Sequence, residues 1–390
     1  MKKGWEIKKL GEVAYIINGK NQSQVISDNG QYPIYGSAAN LMGYATDFIC
    51  EKGTTIIGRK GNISNPILIN ERFWNVDTAF GIYPKKDFDP KYIHYLCQTI
   101  DFKSRNRGTT IPSLVKSDLL NIDVVVNPSL PEQQRIVSIL DECFAAIDQA
   151  KANAEQNLKN ARELFDCVLD SILYDKRWKI EQLGNVCEKV EYGTSSKSKS
   201  DGLLPVLRMG NIQNGRCEWD SLVYSDNIED NKQYLLKHND VLFNRTNSPE
   251  LVGKTAIYKS EQPAIFAGYL IRIHRKENLL DADYLNYYLN SRMAFEYGKT
   301  VVISSVNQAN INGTKLKTYP IPLPTLNEQQ TIVRQLDTLR AEAQKLEEVY
   351  QQKISSLEEL KKSILKKAFA GELPLGTITE QVELAKQRTD

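Results

Sequence analysis

The sequence predicts an α+β protein in which two globular domains of mixed α/β structure alternate with two long helices that pair as an antiparallel coiled coil. Three observations lead to this prediction: a duplicated plan, two glycine-free runs with apolar residues near heptad spacing, and short apolar runs bounded by turn residues. The 390 residues suffice for two or three domains. Because the two halves share one plan, we expect a pseudo-twofold relation between them.

The duplicated plan is visible at the start and at the end of each half. Residues 5–13 read WEIKKLGEV and residues 178–186 read WKIEQLGNV, with five of nine positions identical. Residues 128–137, PSLPEQQRIV, match residues 324–333, PTLNEQQTIV. The offset grows from 173 to 196 residues, so we predict insertions in the second copy. A repeating unit of this size is a domain and not one turn of a short-period solenoid.

Each copy ends in a run that predicts a long helix. Residues 131–175 contain no glycine, and the run 327–370 stops at Gly371, where helices commonly end. At 1.5 Å per residue each helix would be about 65 Å long. The residues that we predict to form the seam between the helices are Leu140, Ile147, Ala154, Ala161, Leu164, Val168, Leu336, Leu339, Ala343, Leu346, Leu357, Leu360 and Ile364.

A single amphipathic helix packed on a compact core is the alternative explanation of each run. The alanine-rich seam of the first run favours the coiled coil, because alanine permits close helix approach and offers little bulk to a core. Within the globular segments, apolar runs bounded by Gly, Asn and Pro predict strands near 54–58, 121–126, 240–243 and 264–273. Helices are predicted near 92–100 and 284–297.

These features divide the chain into five segments. We predict globular domains at 1–128 and 176–324, spacer helices at 129–175 and 325–375, and a C-terminal tail at 376–390. No run approaches 18 apolar residues, and the N-terminus lacks the apolar core of a signal peptide, so we expect no membrane partner and a cytoplasmic location. Six separated cysteines without a C-x-x-C pair argue against a disulfide framework and against zinc.

The net charge of +2 conceals a segregation of charge. Residues 1–128 carry +4, 129–175 carry −5, 176–324 carry +4 and 325–390 carry −1. The two globular segments are therefore basic, whereas the helical segments are acidic or nearly neutral. An excess of basic residues that occurs twice, and only in the repeated domains, favours a polyanionic partner. The alternative is that the extra lysines serve only solubility.

Polar loops in both domains carry side chains that suit DNA. Arg and Lys bind guanine and phosphate, Asn and Gln bind adenine, and Ser and Thr hold phosphates. The candidates in the first domain are Lys20, Gln22, Tyr35, Ser37, Arg59, Lys60, Asn62, Arg105, Arg107, Thr109 and Thr110. Those in the second domain are Thr194, Ser195, Ser196, Lys197, Arg208, Asn211, Arg245, Asn247, Ser304, Ser305, Asn307 and Gln308.

Signals for catalysis are missing from the sequence. Gly253-Lys254-Thr255 resembles the end of a P-loop, but the glycine required five positions earlier is Ser248. There is no G-x-G-x-x-G, and the three histidines have neither metal spacing nor a neighbouring nucleophile pattern. We therefore predict no catalytic residue, no metal site and no cofactor in this chain.

Several of these motifs together resemble the specificity subunit of a type I restriction-modification system. They are the repeated Trp-x-x-x-x-Leu-Gly-x-Val opening, the junction PLPTLNEQQTIV at 322–333, YGTS at 192–195, LRMGNI at 207–212 and AFAGEL at 368–373. The resemblance covers about residues 5–375. The first half lacks a close counterpart of LRMGNI.

The resemblance implies a function in host defence through DNA methylation in the prokaryotic cytoplasm. Each globular segment would be a target-recognition domain for one half of an asymmetric, bipartite site in double-stranded DNA, and the antiparallel helices would set the spacer. The helices would also dock two methyltransferase subunits that carry S-adenosylmethionine, and motor-nuclease subunits, which use ATP and Mg, can join the complex. This chain itself would be non-catalytic.

Two alternatives remain open from the sequence. One is a coiled-coil adaptor that binds proteins only, which predicts no salt-sensitive affinity for DNA. The other is a self-contained DNA methyltransferase or nuclease, which predicts that the lone chain binds S-adenosylmethionine or a metal.

Overall fold

A computed structural model describes residues 4–305 and 308–373, so the tail predicted at 376–390 lies outside the described residues. The chain forms two compact units: unit 1 contains the residues up to Glu155 and those from Gln351 onward, and unit 2 contains Gln156–Tyr350. In the described part of the chain no helix combines the length and apolar character needed to cross a membrane. The mixture of helices and sheets confirms the predicted α+β class.

Unit 1 begins with a globular domain of strands and short helices. Its elements are β1 (Glu6–Lys9), α1 (Leu10–Val13), β2 (Ala14–Asn18), β3 (Tyr32–Tyr35), β4 (Leu41–Ala45), β5 (Thr54–Gly58), β6 (Ile67–Ile69), β7 (Trp74–Asn75), β8 (Ala79–Pro84), α2 (Pro90–Thr99), a 3-10 turn (Lys103–Arg105), α3 (Lys116–Leu120) and β9 (Asp123–Val126). The antiparallel sheet β2-β8-β5-β6 is joined by the ribbon β4-β3-β7, in which β3 and β7 are parallel, and by the pair β1-β9. The long helix α4 (Leu130–Leu173) follows.

Unit 2 repeats this plan with additions. Its elements are β10 (Lys179–Gln182), a 3-10 turn (Leu183–Asn185), β11 (Cys187–Tyr192), β12 (Leu204–Leu207), a 3-10 turn (Met209–Asn211), β13 (Ile212–Gln213), β14 (Arg216–Cys217), β15 (Val223–Ser225), α5 (Ile228–Gln233), β16 (Val241–Asn244), β17 (Thr246–Asn247), β18 (Thr255–Ile257), β19 (Ile265–Phe266), β20 (Leu270–Arg275), α6 (Ala282–Leu289), α7 (Arg292–Val301), β21 (Ile303–Ser305), β22 (Gln308–Asn310), α8 (Gly313–Leu316), β23 (Pro320–Leu323) and α9 (Leu326–Phe369). The sheets are β11-β20-β16-β18-β14-β13, β15-β12-β19, β17-β22-β21 and β10-β23.

The hairpin β13-β14 is one of the insertions that the growing offset predicts. It extends the sheet beyond β18, whereas the sheet of unit 1 ends at β6. Asn214 and Gly215 turn the hairpin with φ of 50° and 76°, the pair of positive values that a type I′ turn requires. The side chain of Asn286 on α6 donates to the Gly215 carbonyl at 2.9 Å and fixes the hairpin on that helix.

The repeated Leu-Gly pair of the two openings has a packing reason. Leu10 and Leu183 are both fully buried, and each backbone amide donates a 2.8 Å hydrogen bond, to Ile122 and Tyr319 respectively. A Cβ on Gly11 would lie 3.2 Å from a carbonyl oxygen at the end of α3, so the close approach of the chain favours glycine there. The openings therefore recur because the same backbone contact closes both domains.

The repeated Glu-Gln-Gln motif attaches each globular domain to its long helix. Gln133 is fully buried, and its Oε1 accepts from the amide of Asp89 at 2.9 Å while its Nε2 donates to two backbone carbonyls. Gln329 is also fully buried, accepts from the amide of Asp281 at 2.8 Å and likewise donates to two carbonyls. Each glutamine thus forms hydrogen bonds with three buried backbone groups that have no hydrogen-bond partner within a sheet or helix.

The two long helices are 44 residues each and pair antiparallel within each unit. Across the three ion pairs between the helices, the residue number on α9 decreases as the residue number on α4 increases. These pairs are Asp148–Lys361 at 2.7 Å and Lys151–Glu358 at 2.6 Å in unit 1, and Arg162–Glu347 at 3.0 Å in unit 2.

Most of the predicted seam residues lie inside the packing between the helices and the domains. Leu140, Ile147, Ala154, Ala161, Leu336, Ala343, Leu357 and Ile364 are buried, and Val168, Leu339 and Leu360 are half-buried. Leu164 and Leu346, in contrast, are 44% and 41% exposed, and they correct the predicted seam. Phe165 and Glu347 take these places, because an α-helix has 3.6 residues per turn and drifts away from a strict heptad.

We predict that Gln133→Ala and Gln329→Ala each lower the free energy of unfolding by about 1–3 kcal/mol, because each change leaves buried backbone groups without a partner. The exposed neighbours Gln134→Ala and Gln330→Ala are matched controls, expected to stay within about 0.5 kcal/mol of the unchanged chain. Urea titration of the full chain followed by circular dichroism measures the difference. Equal effects at the buried and the exposed glutamines would contradict the role of the buried amide.

Candidate nucleic-acid interface

Four loops of unit 1 meet at one central segment, residues 75–79. The amide of Lys20 donates to this segment at 2.9 Å, the amide of Arg59 donates to it at 2.8 Å, and the segment donates to the carbonyl of Tyr35 at 3.2 Å. The fourth loop joins through Leu114, whose amide donates to the Arg59 carbonyl at 2.9 Å. We call these loops the first loop face, defined by residues 19–24, 35–40, 59–62 and 105–113.

The same network occurs in unit 2 around residues 266–270. The amides of Thr194 and Arg245 donate to this central segment at 2.9 and 3.0 Å, and the segment donates to the carbonyl of Leu207 at 2.9 Å. The amide of Ile311 donates to the Arg245 carbonyl at 2.9 Å, as Leu114 does to Arg59. The second loop face comprises residues 193–199, 207–211, 245–250, 302–305 and 308–311.

The equivalence pairs the candidate loops that the sequence suggested separately in each half. Lys20 corresponds to Thr194, and Arg59 corresponds to Arg245, by their shared hydrogen bonds. The LRMGNI segment, which has no sequence counterpart in the first half, occupies the place of residues 36–40 after β3. The structure thus brings the four candidate loops of each unit together on one face.

One arginine occupies the same place in both faces. Nη1 of Arg59 donates to a carbonyl of its central segment at 3.3 Å, and its guanidinium lies 5.8 Å from the centre of the Phe80 ring. Nη1 of Arg245 donates to the other central segment at 3.3 Å, and its guanidinium lies 4.9 Å from the centre of the Tyr192 ring. Both arginines are half-buried. A guanidinium held in this way is oriented in advance for a phosphate or a guanine.

The remaining first-face candidates are mostly free of the protein interior. Lys20, Lys60, Asn62, Arg105, Arg107, Thr109 and Thr110 are exposed, and Gln22 and Ser37 are half-buried. Arg107 makes an ion pair with Asp118 at 2.9 Å, which neutralises part of its charge. The exposed cations that remain give this face its basic character.

The second face offers more hydroxyl and amide groups. Ser195, Ser196, Lys197, Arg208 and Gln308 are exposed, and Asn247 is half-buried. The backbone of Ser304 and Ser305 pairs with β22, whereas their side chains and the whole of Asn307 lie outside the described residues. Arg208 donates to the carbonyl of Ser221 at 2.9 Å. The two faces therefore present different chemistry on the same backbone arrangement.

Three candidates have structural tasks that the sequence did not reveal. Asn211 is 4% exposed, and its amide group holds the backbone of residues 208, 218 and 220, so it fixes the conformation of the loop. Thr194 is 5% exposed and bonds to Asp230 and to the amide of Ser196. Tyr35 donates to Glu71 at 2.8 Å; burial and the neighbouring Glu71 carboxylate raise its pKa to about 12. Contact of these three residues with DNA stays a prediction.

Sequence reasoning missed the apolar residues that border the faces. Ile111 is 59% exposed in the first face, and in unit 2 Leu203 and Tyr269 are 69% and 51% exposed. Tyr269 belongs to the central segment that receives the Arg245 amide. Exposed apolar side chains beside basic groups suit contact with the methyl group of thymine or with a base face. Only their exposure in the fold identifies them.

A buried cluster of charged residues packs against the central segment of the second face. Arg272 is 5% exposed, lies 5.1 Å from the ring of Phe266 in the central segment, and pairs with Glu191 at 2.5 Å and Asp240 at 3.0 Å. Burial raises the pKa of Glu191, but hydrogen bonds from Arg272 and His274 outweigh burial and hold that pKa at about 2. The Glu191 carboxylate therefore stays charged at neutral pH and keeps its ion pair with Arg272.

The fold gives no structural support to a phosphate loop in unit 2. Lys254 leads directly into strand β18, whereas a P-loop lysine precedes a helix whose N-terminus holds the phosphate. Within residues 4–305 and 308–373 no group of three or more His, Cys, Asp or Glu is arranged to hold a metal ion.

Comparison with known proteins places this geometry in a family. The model of the type I restriction modification DNA specificity domain matches residues 2–160 and 175–356. The specificity subunit of the type I restriction enzyme StySPI from Salmonella potsdam is 29% identical over 325 residues, which cover 76% of this chain and 69% of that protein. Specificity subunits from Methanocaldococcus jannaschii and Escherichia coli K12 are matched over 45% and 58% of their length.

Solved structures share the fold over nearly the whole chain. A chain from a type I restriction-modification system matches with a TM-score of 0.77 and 19% identity, covering 96% of this chain and 99% of that one. The HsdS subunit from Thermoanaerobacter tengcongensis matches with a TM-score of 0.60 and 20% identity, covering 96% and 98%. Both halves of the sequence match the family model, in agreement with the two loop faces. The chain belongs to the family of type I restriction modification DNA specificity domains.

Proposed function

We propose that this chain is the non-catalytic DNA specificity subunit of a type I restriction-modification complex, in which each loop face recognises one half of a bipartite, asymmetric site. The observation that carries the proposal is the occurrence of one four-loop network twice with different side chains. Family membership supports DNA recognition and assembly into a complex.

The asymmetry of the site follows from the difference between the faces. A homodimer presents two identical surfaces and therefore prefers a palindromic sequence. Here the backbone of the two faces is equivalent, but Lys20 corresponds to Thr194, and exposed cations such as Arg105 and Arg107 occur on the first face. Two different surfaces on one chain recognise two different half-sites.

The helices and the partner subunits supply the rest of the proposed activity. Helices α4 and α9 set the spacer between the half-sites and dock two methyltransferase subunits, and motor-nuclease subunits join to cleave unmodified DNA. S-adenosylmethionine, ATP and Mg would be bound by those partners and not by this chain. We place the complex in the cytoplasm of a prokaryotic cell, where its double-stranded DNA substrate is found.

We predict that Arg59→Ala and Arg245→Ala each weaken binding to the cognate duplex by about 10-fold, because each removes a contact worth about 1–3 kcal/mol. Fluorescence anisotropy with duplexes altered in one half-site at a time measures the effect. Arg59→Ala should relax discrimination in one half-site only and Arg245→Ala in the other. Arg334→Ala, an exposed α9 residue with the same change of charge, is the control and should leave discrimination unchanged. Loss of discrimination in both halves from either variant would exclude separate recognition.

We predict that removing one heptad from each helix shortens the unspecified spacer by about three base pairs. Seven residues span about 10 Å of helix, which is the length of about three base pairs at about 3.4 Å each. Deletion of 154–160 together with 349–355 removes heptads that lie opposite each other and keeps the Lys151–Glu358 and Arg162–Glu347 pairs aligned. Sequencing of methylated adenines in cells that express the variant with its methyltransferase gives the spacer. An unchanged spacer would show that the helices do not set it.

A further inference from the structure

Two of the three ion pairs that join α4 to α9 contain charges of opposite sign at equivalent positions of the two helices; the third, Asp148–Lys361, has uncharged equivalents. Helix α4 starts at Leu130 and α9 at Leu326, so each α4 residue has its equivalent 196 positions later. Lys151 is therefore equivalent to Glu347, and Arg162 is equivalent to Glu358. In both cases α4 carries the cation and α9 carries the acid.

Each of these residues is paired across the helices. Lys151 lies 2.6 Å from Glu358 in unit 1, and Arg162 lies 3.0 Å from Glu347 in unit 2. The two pairs are the same contact in the two copies of the internal repeat, because each partner of one pair is equivalent to a partner of the other.

Aromatic and cationic side chains follow the same rule. Helix α4 contributes Phe144 in unit 1, where Lys361 lies 4.8 Å from the ring centre. It also contributes Phe165 in unit 2, where the Arg340 guanidinium lies 4.7 Å from the ring centre. In both units the ring belongs to α4 and the cation belongs to α9. Each contact therefore requires one helix of each kind.

Pairing of either helix with a second copy of itself would lose these contacts. In the same antiparallel register, α4 against α4 would place Lys151 opposite Arg162 of the other copy. The pairing of α9 with α9 would place Glu347 opposite Glu358. Both arrangements bring like charges together twice, and the α9 pair would also place Arg340 opposite Lys361, the equivalent of Phe165.

We propose that this pattern makes α4 and α9 a selective pair, so that the two domain-plus-helix halves associate with each other and each disfavours a second copy of itself. An exposed ion pair is weak when taken alone, but attraction in the mixed pair and repulsion in both self-pairs add to one preference. The partner that fits α4 is an α9-type helix, either of the same chain or of another chain. The selectivity keeps two different recognition domains on one subunit, and it does not depend on DNA binding.

The test uses the folded full chain, cut once in place. A protease site is inserted between Asp175 and Lys176, in the connection from α4 to β10, and the purified protein is cleaved. The fragments are unfolded in urea, refolded together and weighed by native mass spectrometry. The ratio of mixed to self-paired dimers should be at least about tenfold higher than the ratio that random pairing gives. Random pairing of the refolded fragments would overturn the proposal.

A double variant tests whether the charges are the cause. Lys151→Glu with Glu347→Lys makes the mixed pair repulsive at both contacts and makes both self-pairs attractive, so self-paired dimers should increase about tenfold. The charge-conserving Lys151→Arg with Glu347→Asp is the matched control and should keep the mixed preference. An unchanged ratio in the double variant would contradict a charge-based preference.

A second measurement needs no cleavage and no refolding of fragments. In the uncut chain, Lys151→Glu should lower the midpoint of thermal unfolding, and the addition of Glu358→Lys should recover at least about half of that loss. Failure of the second change to recover the midpoint would show that the Lys151–Glu358 contact does not contribute to the pairing.

Discussion

A buried glutamine at the start of each long helix fixes the globular domain to that helix, and the position of the loop face depends on this attachment. Gln133 and Gln329 bond to the backbone just before α2 and α6 and to the segment that enters the long helix. An apolar side chain of similar size would leave these backbone groups without partners in the interior. The motif Glu-Gln-Gln recurs because the same junction must be closed twice.

The two loop faces are built on the same arrangement of backbone hydrogen bonds. The central segments 75–79 and 266–270 receive the same amides and offer the same hydrogen bonds in both units. Backbone contacts do not depend on side-chain identity, so the faces can differ in chemistry without a change in the scaffold. Arg59 and Arg245 are the exception, since both are held by a carbonyl and an aromatic ring in the same way.

The sequence predicted the long helices well because their signal is local. Runs without glycine at 131–175 and 327–370 correspond to α4, Leu130–Leu173, and α9, Leu326–Phe369. It failed at Leu164 and Leu346, because the helical period drifts from the heptad over several turns. The domain boundaries at 128, 175 and 324 stay predictions, since the two compact units divide both long helices near their middle.

The loop faces were less accessible to prediction from the sequence. A polar side chain such as Asn211 can contact DNA or can replace a missing backbone partner, and only the surrounding hydrogen bonds distinguish these roles. Tyr269 is not part of a polar sequence motif, and only the fold shows that it belongs to a central segment.

Mapping of methylated adenines in cells that express this chain with its methyltransferase tests the central claim most directly. Two different surfaces on one chain predict a bipartite motif whose halves differ in sequence and are separated by a fixed number of unspecified bases. A continuous motif, or a palindrome with identical halves, would contradict recognition by two distinct loop faces.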